Sequence, residues 1–149
     1  KHFETMMNYL YTKKFEKAIG SSLLETNFLF PIGVYIVADK YDIEGLAENA
    51  LETFGFEHGW DCIGPEVTCH HVLSIDEAEK MIQTYYEACS ITDSRMGARI
   101  ATFMLDFLAG FMRRKAFREL ICQYAALGAD ILLKEYAEDW IGEYSKKHE

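Results

Sequence analysis

The chain has 149 residues, of which half are apolar, 14% aromatic and 26% charged. That content excludes a disordered tail, and 10 Gly with only 2 Pro exclude a collagen-like or low-complexity chain. The formal net charge of −9 has the wrong sign for displacing counterions from phosphate, so no direct nucleic-acid partner is expected. The longest apolar run, Phe28 to Ala38, is broken by Pro31 and Gly33 and falls short of the roughly 20 residues a membrane span needs.

The first periodic segment places Phe3, Met6, Met7, Leu10 and Tyr11 at helical spacing. It begins at once after Lys1, with no charged leader, apolar core and small-residue cleavage site, so no secretory signal is expected. A chain that opens inside a periodic pattern reads as a piece of something longer. Thr12-Lys13-Lys14 ends the segment, Phe15 to Ile19 fits a short strand or a helical turn, and Gly20-Ser21-Ser22 marks a loop.

Pro31 is expected in the first turn of the next helix, where its missing N–H costs nothing. That helix runs to about Tyr41 and is apolar on most sides, as a buried helix is. Asp42 is placed to cap a further helix carrying Leu46, Ala47, Ala50, Leu51 and Phe54, so the two form a helical hairpin or sharp corner. Residues 55–73 hold Gly55, Gly59, Gly64 and Pro65 without a clear period. A linker at 58–73 would separate residues 1–57 from 74–149.

The second half opens on Ser74-Ile75-Asp76-Glu77, a capping-box pattern, with Ile75, Ala78, Ile82, Tyr85, Tyr86 and Cys89 on the apolar face behind it. Asp93 or Ser94 is placed to cap a helix holding Met96, Ile100, Phe103, Met104, Phe107 and Leu108. A third helix runs from about Arg113 to Leu127 and is ended by Gly128. A last one carries Ile131, Leu132, Leu133, Tyr136, Trp140, Ile141 and Tyr144. The class is mainly α, with a helical hairpin, little or no sheet, and a four-helix extension.

Catalytic and metal chemistry finds little support. His58, Cys62, Cys69, His70 and His71 are ligand types for zinc or copper. Their spacing lacks the close ligand pairs of a zinc finger, and adjacent histidines do not readily face one ion. An ordinary loop with free side chains is the simpler reading, and a small metal-binding helical protein is kept as an alternative. Carboxylate pairs such as Asp42/Glu44, Asp76/Glu77 and Glu138/Asp139 fall at helix starts or on polar faces, where capping and solvation account for them. Ser21 and Ser22 sit in no nucleophile elbow, and no glycine-rich phosphate loop occurs. The chain reads as non-enzymatic, with no cofactor and no metal. Four cysteines in a chain long enough to build a core point to free thiols in a reducing compartment, cytoplasmic or nuclear. Cys89 and Cys122 fall on apolar helix faces, where thiols are commonly buried. Arg113-Arg114-Lys115 reads as solvated charge or a grip for an acidic segment.

Two stretches resemble the C-terminal half of a BTB/POZ domain. Phe3-Glu4-Thr5-Met6-Met7-Asn8-Tyr9-Leu10-Tyr11-Thr12 is similar to the family's helix ending in a Tyr-Thr-Gly turn, with Lys13 where the Gly is usual. Val34-Tyr35-Ile36-Val37-Ala38-Asp39-Lys40-Tyr41-Asp42-Ile43-Glu44-Gly45-Leu46 is similar to its Ala-Asp-Lys-Tyr helix end, in a wording like that of fungal BTB proteins. The likeness covers residues 3–55, and the helices from Ser74 onward resemble a BACK-like extension. The resemblance implies a protein–protein interaction scaffold that homo-oligomerises. The same resemblance implies use as a cullin-type ubiquitin-ligase substrate adaptor or, alternatively, as a transcriptional regulator. Ile32 stands where the family's cullin-binding signature places an acid. Candidate partner-binding residues are Phe28, Phe30, Tyr35 and Tyr41, which lie on or before the motif helix. With the family's opening strands missing, the apolar face of 3–11 and 33–54 should be covered by a second chain, by swapped elements or by the C-terminal helices.

Overall fold

The computed structural model describes residues 2–12, 14, 22, 24–55 and 73–146, with the side chains of these except Phe107, Ala109 and 137–146. Every regular element among them is helical, so the fold is mainly α. The segment Phe15–Ile19 and the whole His58–His71 cluster lie outside the described residues. The chain forms two compact units, Lys1–Cys89 and Ser90–Glu149.

The first unit is built around a helix with almost no polar face. Helix α2, Phe30–Lys40, buries Phe30, Pro31, Ile32, Gly33, Val34, Tyr35 and Ala38. It packs against α1 (His2–Thr12), α3 (Glu44–Thr53) and α4 (Ile75–Tyr86). Helix α4, which follows the expected linker at 58–73, groups with the first unit, Lys1–Cys89. A helix apolar on most sides needs another wall, and α4 provides one with Met81, Ile82 and Tyr85, all fully buried. The Tyr35 and Tyr85 rings lie 6.5 Å apart.

Helix α2 ends in a Schellman turn rather than at a cap for its successor. The Ile43 N–H donates to the Ala38 carbonyl at 2.9 Å, and the Asp42 N–H to the Asp39 carbonyl at 3.2 Å. Asp42 holds the left-handed conformation, φ 55°, that glycine usually occupies there. Its expected role as N-cap of α3 falls to Ile43, which makes no side-chain cap bond.

Pro31 lies in the first turn of α2, as expected, but the helix does not start there from a loop: Leu24 and Leu29 are already helical, and Glu25–Leu29 form a π-helical turn running straight into α2. The Phe30 N–H donates to the Glu25 carbonyl, five residues back.

Helix α4 begins on the capping box that the sequence announces. The Ser74 N–H and hydroxyl both donate to Glu77 Oε2 at 2.8 Å, and the Glu77 N–H donates to Ser74 Oγ at 3.3 Å.

The second unit contains α5 (Arg95–Phe107), the single turn α6 (Ala109–Met112), α7 (Lys115–Gln123) and α8 (Ala125–Lys146). Ser94 is the N-cap of α5 and accepts the Gly97 N–H at 3.0 Å. The buried Asp130 of α8 reaches the same turn, where its Oδ1 accepts the Asp93 N–H at 2.7 Å. A carboxylate at the positive end of α5 is favoured by the dipole, and Gly97 leaves it room, since a Cβ there would collide with Asp130 Oδ2. Helix α7 stops at Gln123 rather than at Gly128. Tyr124 breaks the helix at φ −119°, ψ 83°. Gly128 instead lies within α8, where a Cβ would stand 3.2 Å from the Ile121 side chain. None of the described helices is long and apolar enough to cross a membrane.

Two measurements check the helix ends. Hydrogen bonds from the Ser74 backbone and then its side chain hold the Glu77 carboxyl below its ordinary range. The stability this adds is present above the ordinary carboxylate value and is lost as pH falls through the lowered one. The gap in denaturation midpoint between wild type and E77Q should close on acidification in that window; a gap that widens contradicts it. D42G should raise stability by about 0.5–1 kcal/mol by relieving the left-handed strain, read from urea unfolding.

Candidate protein-binding face

Helix α1 seats on its neighbours through Met6 of the apolar pattern together with His2 and Tyr9, which lie outside it. His2, Met6 and Tyr9 share one side of the helix, and Met6 is buried. The His2 ring lies over Gly33, where any Cβ would collide with it, and 5.7 Å from the Phe30 ring. The Tyr9 hydroxyl lies over Gly45 of α3 in the same way. Two glycines thus offer flat seats, and ring-bearing side chains with polar edges take them.

This choice turns much of the apolar face of α1 outward. Phe3 is 55% exposed, Leu10 41% and Tyr11 82%. Phe3 and Leu10 are seven residues apart, on nearly the same side of the helix, with the half-buried Met7 between them and Tyr11 alongside. Tyr41, at the Schellman turn, is 52% exposed and presents its ring 6.5 Å from Phe3, edge to face. Lys40 Nζ lies 5.9 Å from the centre of the Tyr41 ring. Together these side chains leave on the order of 400 Å² open, the size at which an exposed patch is often functional. Glu4, Asp39, Lys40, Asp42 and Glu44 are also exposed on the same elements, so polar groups accompany the apolar ones.

Of the four candidate contact residues, only Tyr41 is open to a partner. Phe28, Phe30 and Tyr35 are buried side chains of the first unit. Phe28 packs edge to face on Phe54 at 5.3 Å, Phe30 against His2, and Tyr35 against Tyr85. Aromatic character alone does not separate anchor from core. Phe3, Leu10 and Tyr11 were missed because their spacing reads as an inward face, and only the glycines at 33 and 45 hint otherwise.

No group of three metal-ligating side chains occurs among the described residues. Cys89 is half-buried just beyond α4 and accepts the Tyr85 hydroxyl at 3.4 Å; Cys122 is exposed rather than buried, and both thiols are free. The cations Arg113, Arg114, Lys115 and Arg118 are all exposed, with Lys115 3.3 Å from Glu119. No protein-family model, curated protein or solved structure matches this chain.

The glycine seat is testable by a double-mutant cycle. In wild type, G33A forces the His2 ring away; in an H2A background the same change gains helix propensity, up to about 1 kcal/mol. Urea unfolding should give a coupling of about 1 kcal/mol between the two sites. Equal effects of G33A in both backgrounds would contradict the seat.

Proposed function

We propose that the chain is a non-enzymatic protein–protein interaction module, a BTB/POZ-type scaffold that engages its partner through the outward face of α1 and the end of α2. The observation that carries this reading is the exposure of Phe3, Leu10, Tyr11 and Tyr41, with the Phe3 and Tyr41 rings paired. The mechanism is burial of aromatic and aliphatic surface, with Tyr11 and Tyr41 as anchors whose hydroxyls stay near the wet rim. The resemblance of Ala38-Asp39-Lys40-Tyr41 and its neighbours to a BTB helix end supports the same conclusion, since that family works by such contacts. A second copy of the chain is the first partner the reading names. The position at which the family's cullin-binding acid would fall is Ile32, fully buried, so contact through α1 is proposed rather than contact through that position. The free thiols of Cys89 and Cys122 suit a cytoplasmic or nuclear setting.

Sedimentation equilibrium on the wild-type chain and on F3S/Y11S/Y41S tests the proposal. Exposed substitutions of this kind shift folding by roughly 0.5 kcal/mol each or less, so the variant remains folded. The expected result is concentration-dependent self-association of wild type, weakened at least tenfold in the variant. Identical association in both, or none in either, would overturn it.

A further inference from the structure

We infer that Pro31 fixes the π-to-α register break at the head of α2 and that the Gly55 amide latches it to the end of α3. In an α-helix the N–H of residue 31 would donate to the carbonyl of residue 27. Proline has no N–H, and its ring collides with that same carbonyl. Here the strain falls in a helix that is continuous from Leu24 to Lys40, at the buried residue Asn27. The π turn over Glu25–Leu29 is separated from the proline only by Phe30, and it widens the backbone there. The Asn27 carbonyl then receives the Gly55 N–H at 2.9 Å, from just beyond the last turn of α3. Gly55 can deliver that donor because it sits at φ 69°, a conformation other residues resist. The Phe28–Phe54 ring pair closes over the junction.

The α2–α3 hairpin is thereby tied at both ends. The Schellman turn at Tyr41–Ile43 closes one end and the Gly55–Asn27 bond the other. Opening the hairpin at its free end breaks the Gly55–Asn27 bond. The device is thus a backbone latch, written into two residues 24 positions apart in the sequence.

Hydrogen-bond scalar couplings and amide exchange on the 149-residue chain test it. Wild type should show couplings from the Phe30 amide to the Glu25 carbonyl and from the Gly55 amide to the Asn27 carbonyl. In P31A the turn should relax to an α-helix. The Phe30 amide then moves to the Thr26 carbonyl, residue 31 takes the Asn27 carbonyl, and Gly55 exchange rises at least tenfold. Retention of both wild-type couplings in P31A overturns the inference. G55A decides the matter should P31A not fold: with Pro31 present, the Phe30–Glu25 coupling should persist while the bond from residue 55 weakens. Movement of Phe30 to Thr26 in G55A would show that the proline does not set the register.

Discussion

Helix α2 has no polar side before its last turn, and the first unit follows from that constraint. Each fully buried Ile, Val or Phe side chain contributes roughly 1.5–3 kcal/mol relative to exposure, but only if neighbours exclude water on all sides. One partner cannot enclose a helix, so α1, α3 and α4 all pack against it. The short Schellman turn forces α3 to lie antiparallel alongside. The π turn and the bond from the Gly55 N–H to the Asn27 carbonyl settle the other end. Lys40 and Tyr41 are where this enclosure stops, which is why the exposed aromatic group begins there.

The same packing decides what is left for function. Helix α1 has more apolar surface than one contact can bury, and the glycine seats at 33 and 45 select His2 and Tyr9 for the inside. Phe3, Leu10 and Tyr11 are displaced to the surface as a result. An exposed apolar face is thus produced by competition between two sides of one short helix. The second unit uses a different device: the buried Asp130 of α8 is held at the start of α5, joining two helices through a carboxylate and backbone N–H contact.

Local signals were legible in the sequence and long-range ones were not. The capping box at Ser74–Glu77 and the cap at Ser94 are contained within four residues, and both stand as the sequence indicates. The mainly α class follows from spacing alone. The role of Asp42 was misread because a left-handed Asp closing one helix and an Asp opening the next look alike in a one-dimensional pattern. Pro31 stands in the first turn of α2 as expected, but the π turn ahead of it was not legible, because Glu25–Leu29 carry no strong period. Asp130 and Gly55 act across 37 and 28 positions, where periodicity has no reach. Of the candidate partner-binding residues, Tyr41 is exposed, while Phe28, Phe30 and Tyr35 are core residues; their type suits either place and only burial decides.

The central claim is that the outward face of α1 meets another protein chain. Photo-cross-linking tests it most directly, with a photoreactive phenylalanine placed at Tyr11 and, as a control, at exposed Arg118. The account predicts a discrete covalent dimer of the purified chain from position 11 and little from position 118. Equal yields from both positions, or no adduct from position 11 at concentrations where the control is also silent, would contradict it.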